Sequence, residues 1–164
     1  MKSVIPTNFA DLEAQAKRKL STKAFGYIFT GAGSGTTKGN NRKAFEKWGI
    51  RPQIPNAVSE VDLSVHTSVF SLNNPVLLAP VGVLCLAHDE ADMAVARAAH
   101  RMSSTYIFSN QASRTLEACA QEMENKGCWF QLYHSDIPGL SENLLKRAES
   151  AGCEATVITL DTTR

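Results

Sequence analysis

The stretch that decides the fold begins with PVLLAP (75–80) and continues through TYIFSN (105–110), CWFQLY (128–133) and EATVITLD (154–161). The first three of these short apolar runs are each followed by a turn and a segment of helical periodicity. Strands are therefore predicted to begin near residues 76, 105, 128 and 155. Continuous apolar strands that alternate with helices predict a parallel α/β sheet with helices on at least one face.

The part of the chain before residue 75 reads as helices. Apolar residues recur at helical spacing from Phe9 to Leu20, behind Thr7 and Asn8, either of which can cap the first helix. A second helical segment opens at Ser21, and a third surrounds Phe45. The N-terminal part is therefore expected to be a helical extension ahead of the α/β region.

A small β element is predicted between the helices and the α/β region. Apolar and polar residues alternate from residue 61 to residue 69, which indicates a strand pair or an extended edge. We therefore divide the chain into an extension with a β element over residues 1–74 and an α/β part over residues 75–164.

Two clusters of residues resemble a nucleotide-binding motif and a metal site, but each lacks a feature that such a site requires. The glycine-rich GAGSG (31–35) follows no predicted strand, and its spacing matches neither common nucleotide-binding motif, so we interpret it as a helix end and loop. His88, Asp89 and Glu90 have the composition of a metal site, but no second histidine lies at helical spacing to complete it. We therefore interpret these carboxylates as helix-start residues.

The composition is that of one soluble domain. The 164 residues carry 17 Lys and Arg against 16 Asp and Glu, and 43% are hydrophobic, which argues against disorder and against a dedicated nucleic-acid or membrane-surface binder. The length is also below the roughly 250 residues of a complete (β/α)₈ barrel. No apolar stretch resembles a signal peptide or a membrane span, and the four cysteines form no CxxC pair. We therefore expect a cytoplasmic protein with reduced, mostly buried thiols.

Polar residues stand at the carboxyl ends of the predicted strands, where ligands bind in parallel α/β folds. They come in pairs two residues apart, a spacing that puts both members on the same side of a strand. Any one of them could be an ordinary loop or capping residue. Three successive strands with the same arrangement nevertheless indicate a shared polar pocket. The pairs are Ser109 and Gln111, Gln131 and Tyr133, and Thr159 and Asp161.

Seven motifs, in order along the chain, resemble the family of FMN-dependent enzymes that oxidise L-2-hydroxy acids. They are GYIFTGAG (26–33), N-x-x-A-F-x-x-W (41–48), LLAPVG (77–82), SNQAS (109–113), WFQLY (129–133), R-A-E-x-A-G (147–152) and TLDTT (159–163). The family includes glycolate oxidase, lactate oxidase and lactate 2-monooxygenase, and SNQAS and TLDTT look most like the last of these. The resemblance implies a (β/α)₈ TIM barrel with FMN at its carboxyl face. Residues 75–164 would then be its first half, strands one to four, behind a helical extension and a small β element.

The resemblance implies substrate and catalytic roles for three residues. Tyr27 matches the tyrosine whose hydroxyl contacts the substrate carboxylate, and Tyr133 matches an active-site tyrosine that faces the substrate. Asp161 matches the carboxylate that orients the catalytic histidine and stabilises its positively charged form.

Cofactor contacts are implied for six residues. A turn at residues 80–82 matches the one whose backbone approaches the flavin near its reactive nitrogen, and its glycine has no side chain to obstruct that approach. Polar groups on the next three strands match those that hydrogen-bond the isoalloxazine ring. The six residues are Pro80, Val81, Gly82, Ser109, Gln131 and Thr159.

The chain also departs from the family pattern. Gln111 stands where plant-type glycolate oxidases have a tryptophan, and Thr163 stands where many relatives have proline. The flavin-contacting lysine, the histidine base, the substrate-carboxylate arginines and the phosphate-binding loops have no counterpart up to residue 164, and Arg164 does not match a carboxylate arginine. We therefore expect the chain alone to be inactive, to need a C-terminal half-barrel, and to self-associate through apolar edges on strands one and four.

The resemblance implies FMN-dependent oxidation of a small L-2-hydroxy acid, L-lactate in first place, with oxygen as electron acceptor. The substrate would lose its α-hydrogen, and the product would be a 2-oxo acid with peroxide, or a decarboxylated acid if the product stays bound. A homo-oligomer is expected of the full-length family, without nucleic acid or membrane as partner. The alternative is a non-catalytic fragment, or one half of a split enzyme that needs a C-terminal partner.

Overall fold

A computed structural model describes residues 6–52 and 59–161, so that the prediction for Arg164 and the end of the TLDTT motif lie outside the described residues. The Cα positions divide the chain into two compact units between Glu60 and Val61. The small β element falls in the second unit, with the sheet. The domain boundary at residue 74 stays a prediction.

The first unit holds three helices, α1 (Phe9–Lys19), α2 (Thr22–Phe29) and α3 (Thr36–Ala44), and a 3₁₀ turn at Phe45–Lys47. Asn8 rather than Thr7 caps α1, because its side-chain oxygen accepts a hydrogen bond from the Asp11 amide (2.8 Å).

The GAGSG segment (31–35) separates α2 from α3, as the sequence predicts. Ser21 caps the start of α2 by accepting from the Ala24 amide (3.1 Å). Gly35, at a φ of 73°, occupies the left-handed conformation at the start of α3, which glycine adopts without a steric penalty.

The second unit opens with an antiparallel hairpin of β1 (Val65–His66) and β2 (Ser71–Leu72). The prediction of extended alternation from residue 61 to residue 69 is wrong in its extent. The Thr67 hydroxyl accepts hydrogen bonds from the amides of Val69 and Phe70, which turns the backbone out of the first strand.

Four parallel strands follow, β3 (Leu77–Leu78), β4 (Thr105–Ser109), β5 (Cys128–Tyr133) and β6 (Ala155–Thr159), paired in the order β3-β4-β5-β6. A 3₁₀ turn at Leu84–Leu86 and the helices α4 (Ala91–Arg101), α5 (Leu116–Glu122) and α6 (Leu140–Ser150) connect them. Each strand begins within one residue of its predicted start. The α/β class is confirmed.

The hydrophobic core lies between the sheet and its helices. Alternate residues of β4 and β5 present large side chains to this side, and small alanines on the helices allow close packing. The large residues are Tyr106, Phe108, Phe130 and Leu132, and the alanines are Ala96, Ala99, Ala120 and Ala148. The intervening strand residues, among them Ser109 and Gln131, therefore belong to the opposite face of the sheet.

Candidate functional site

Three polar side chains join neighbouring strands at their carboxyl ends. The Ser109 hydroxyl donates to Gln131 Oε1 (3.2 Å), and Gln131 Nε2 donates to Thr159 Oγ1 (2.9 Å). The parallel register makes this possible. Ser109 lies opposite Gln131, and Thr159 lies opposite Tyr133, which is two residues beyond Gln131 on the same face of β5. Gln131 is only 1% exposed. The structure therefore brings Ser109, Gln131 and Thr159 together, as the sequence predicts, while a ligand pocket at these strand ends stays a prediction.

This polar row retains hydrogen-bonding capacity for a ligand. The Gln131 amide keeps one N–H and one lone pair, and the Thr159 hydroxyl, which accepts here, keeps its O–H for donation. The pyrimidine edge of an isoalloxazine ring carries both N–H and carbonyl groups, and needs this mixture of donors and acceptors. The residues present therefore fit the flavin of FMN.

The turn after β3 packs tightly against the turn after β4. A Cβ added at Gly82 would lie 3.2 Å from Gln111 Cβ, so a side chain here would crowd Gln111 and glycine suits this close approach. The Val83 amide donates to the Gln111 carbonyl (3.0 Å). Val83 has a φ of 48°, a left-handed conformation that is strained for a β-branched residue. Strain of this kind is retained where the surrounding contacts fix the backbone, often at ligand sites.

Asp92 is a buried residue that the sequence analysis missed. Its side chain lies in the first turn of α4 and is 0% exposed. Oδ2 accepts from the amides of Ser113 (2.7 Å) and Arg114 (3.2 Å), and Oδ1 accepts from the Tyr106 hydroxyl (3.3 Å). Burial, with the nearby Asp92 carboxylate, raises the pKa of Tyr106, so that its hydroxyl keeps its proton. Only the acidic character of the helix start was visible in the sequence.

The remaining predicted site residues occupy less enclosed positions. Tyr133 ends β5 half-buried, and Asp161 is exposed two residues beyond the end of β6. In the turn after β3, Pro80 is half-buried and Val81 is 47% exposed. Tyr27 lies on α2 in the first unit and is 63% exposed. The roles of all nine predicted residues stay predictions.

Two histidines and one arginine of α6 have partners that the sequence does not reveal. His66 Nδ1 lies 3.0 Å from the Ser71 hydroxyl across the hairpin, and His100 Nε2 lies 3.8 Å from a carboxylate oxygen of Glu124. Arg147 on α6 donates from Nε to Glu117 Oε1 on α5 (2.7 Å). Sequence periodicity does not reveal these pairs, because their members lie far apart in the chain or on either side of a turn.

All four cysteines are free thiols. Burial raises the pKa of Cys119 and of Cys128 to about 12, and that of Cys153 to about 11, which suppresses their nucleophilic thiolate form. Cys119 and Cys128 are buried and Cys153 is half-buried, in line with the mostly buried thiols expected, while Cys85 is exposed. Within residues 6–52 and 59–161, no cluster of three or more metal-ligating side chains occurs, and no helix is both long and apolar enough to cross a membrane.

Comparisons with known proteins give the chain its family. The model of the FMN-dependent dehydrogenase family matches residues 16–164. The chain is 41% identical over 157 residues to an L-lactate oxidase of Lysinibacillus sphaericus, covering 96% of this chain and 41% of the relative. It is 37% identical over 153 residues to human 2-hydroxyacid oxidase 2, covering 93% and 43%.

A solved structure shows the same likeness. A mandelate oxidase variant that holds an FMN adduct superposes with a TM-score of 0.83 at 33% identity, over 93% of this chain and 46% of that one. The relatives are TIM barrels, so that β3 to β6 correspond to part of such a barrel. The chain spans less than half the length of the relatives that it matches. It belongs to the FMN-dependent dehydrogenase family.

Proposed function

We propose that this chain supplies the helical extension and the first four strands of an enzyme that uses FMN and oxygen to oxidise a small L-2-hydroxy acid. The observation that carries the proposal is the hydrogen-bonded row of Ser109, Gln131 and Thr159 at the strand ends. L-lactate is the substrate proposed first, because the relatives include an L-lactate oxidase at 41% identity.

FMN, when bound, would supply the two-electron redox chemistry that links the substrate to oxygen. Ser109, Gln131 and Thr159 hold the ring by its polar edge. Because Gly82 lacks a side chain, the backbone of its turn can approach the ring.

The substrate is held and activated by other residues of the proposed site. Tyr133 binds the hydroxy acid through its hydroxyl. The exposed Asp161 carboxylate orients a histidine base, which a C-terminal half-barrel supplies, and stabilises the positive charge that this base gains with the substrate proton.

The products distinguish two reactions that the proposed enzyme could carry out on L-lactate. L-lactate and oxygen give pyruvate and hydrogen peroxide if the product leaves the site before further reaction. They give acetate, carbon dioxide and water if pyruvate and peroxide react together in the site. We propose the first outcome, since the matched relatives are oxidases by name, and acetate as the main product would establish the second.

A fusion protein tests the proposal. It joins this 164-residue chain to the part of the Lysinibacillus sphaericus L-lactate oxidase that the chain does not match. We expect the fusion protein to bind FMN and to consume oxygen with L-lactate, and the chain alone to do neither. A folded fusion protein that leaves FMN unbound would contradict the proposal. Turnover by the chain alone would contradict the need for a C-terminal half.

A further inference from the structure

Two turns at the carboxyl ends of the strands form one hydrogen-bonded unit. The first turn comprises residues 80–85 and the second comprises residues 109–114. The Val83 amide donates to the Gln111 carbonyl (3.0 Å), and the Cys85 amide donates to the Ser113 hydroxyl (3.0 Å). The row of Ser109, Gln131 and Thr159 begins within the second turn. Any shift of the second turn therefore moves the first turn and one end of the polar row.

One buried carboxylate, that of Asp92, fixes the second turn. Asp92 Oδ2 accepts from two successive amides of that turn, those of Ser113 and Arg114, while its other oxygen accepts from the Tyr106 hydroxyl. Charge-assisted hydrogen bonds to backbone amides are about twice as strong as neutral ones. Because the side chain of Asp92 is 0% exposed, water cannot replace a hydrogen-bond donor that this carboxylate loses.

The backbone on both sides of this arrangement is strained. Ala91, directly before Asp92, has a φ of 46°, and Val83 in the first turn has a φ of 48°. Left-handed conformations are sterically unfavourable for residues that carry a Cβ. Such conformations persist only where neighbouring contacts hold them. The second turn supplies one for Val83, whose amide donates to the Gln111 carbonyl, and Asp92, which follows Ala91, accepts from amides of the same turn.

We propose that Asp92 is a positioning residue for the flavin site, which acts through the two turns without itself touching the cofactor. This inference rests on the proposed function. Asp92 fixes the second turn, and the second turn sets the backbone of Gly82 and Val83 that approaches the ring.

Four variants test the role of Asp92. Asp92→Ala removes both acceptor oxygens. Asp92→Asn keeps one oxygen for the two amides and is the conservative rescue, while Tyr106→Phe removes only the partner of the other oxygen and is the matched control. Ser113→Ala removes the contact to Cys85 and serves if Asp92→Ala does not fold. FMN affinity and the flavin spectrum are measured in the fusion protein, and amide hydrogen exchange is measured in the 164-residue chain and in the fusion protein.

Asp92→Ala is expected to raise the dissociation constant of FMN about tenfold and to shift the flavin absorbance even at saturating FMN, a change that loss of global stability would not cause. Exchange should accelerate at the amides of Ser113, Arg114, Val83 and Cys85 together. Asp92→Asn should restore most of the affinity, and Tyr106→Phe should change neither affinity nor spectrum. Ser113→Ala should raise the dissociation constant about threefold, less than Asp92→Ala because water can reach the exposed Cys85 amide.

The inference is overturned if Asp92→Ala leaves the affinity and the spectrum unchanged, or speeds exchange at Ser113 and Arg114 but not at Val83 and Cys85. If Asp92→Ala does not fold and only Ser113→Ala can be measured, the inference is overturned when Ser113→Ala changes neither the dissociation constant of FMN nor the exchange rate of the Cys85 amide. Failure of the proposed function looks different, because the unaltered fusion protein would then not bind FMN. The exchange rates would still decide whether Asp92 couples the two turns.

Discussion

At the residue scale, Asp161 is the residue whose proposed role depends most on the rest of the enzyme. It stands exposed just beyond β6, two residues from Thr159, which belongs to the polar row. A carboxylate in this position can stabilise a protonated histidine, but it has no part in holding the flavin ring. Its removal should therefore affect the chemical step and leave FMN binding intact.

Asp161→Asn in the fusion protein is expected to lower kcat for L-lactate about a hundredfold or more, because the amide cannot stabilise a positively charged imidazole. The dissociation constant of FMN should stay within about twofold. Steady-state oxygen consumption and flavin fluorescence titration measure the two quantities. Asp62→Asn, on the exposed segment before β1, is the control. Equal kcat values for the two variants would exclude Asp161 from catalysis.

Single-residue chemistry could be predicted from the sequence only where local spacing encodes it. Ser109 and Thr159 end their strands and Gln131 lies two residues before the end of β5, so the period of two and the parallel arrangement were enough to bring them together. Asp92 could not be found in this way. Its two amide partners lie more than twenty residues away in a turn whose path depends on how α4 packs beneath it.

At the element scale, α5 and α6 are joined by an ion pair across their surface. Arg147 Nε and Nη2 lie 2.7 and 3.0 Å from the two carboxylate oxygens of Glu117, a bidentate arrangement. The side chains are 43% and 44% exposed, so solvent screens the pair and limits its contribution to about 0.5 kcal/mol. The hydrogen bond from Arg147 lowers the pKa of Glu117.

Glu117→Gln should lower the stability of the fold at pH 7 by about 0.5 kcal/mol. Because the folded-state pKa of Glu117 is lowered, the stabilisation is present above its unfolded value near 4.5 and is lost as the pH falls through the folded value. The difference between variant and parent should therefore vanish in acid. Urea unfolding of the fusion protein at pH 7, 5 and 3 measures it.

Glu142→Gln is the matched control for this prediction. Glu142 pairs with Lys146 within α6, where both side chains are about 70% exposed (69% and 71%), so its loss should have no more than a marginal effect. A difference for Glu117→Gln that is constant across the pH range, or equal to that of Glu142→Gln, would contradict the assigned role.

Whole elements were easier to predict than their ends. The four strand starts agree with the apolar runs, because parallel strands buried by helices show as uninterrupted hydrophobic sequence. The extent of the hairpin was predicted wrongly, because alternation of apolar and polar residues does not show where a side chain turns the backbone, as that of Thr67 does. The strand β3 is also shorter than its apolar run, since it ends at Leu78, two residues before Pro80.

At the scale of the whole molecule, the sheet ends in two outer strands. Among the described residues, β3 pairs only with β4 and β6 only with β5. Exposed apolar side chains lie on the outer strands, with Leu77 at 37% and Ile158 at 58%, and directly beside them, with Val76 at 57% and Leu160 at 87%. In a closed barrel such edges are paired, whereas free edges with exposed apolar residues promote association between chains.

The 164-residue chain alone is therefore expected to self-associate, and the fusion protein to have no free edge of this kind. A charge on an outer strand should oppose edge-to-edge pairing, because like charges would face each other across it. Ile158→Lys should move the chain towards the monomer in sedimentation velocity. Val69→Lys places the same charge on a side chain that is 84% exposed in the hairpin turn, away from both edges, and should not. A monodisperse parent chain would contradict association, and equal effects of the two lysines would show that added charge, and not the strand edge, determines it.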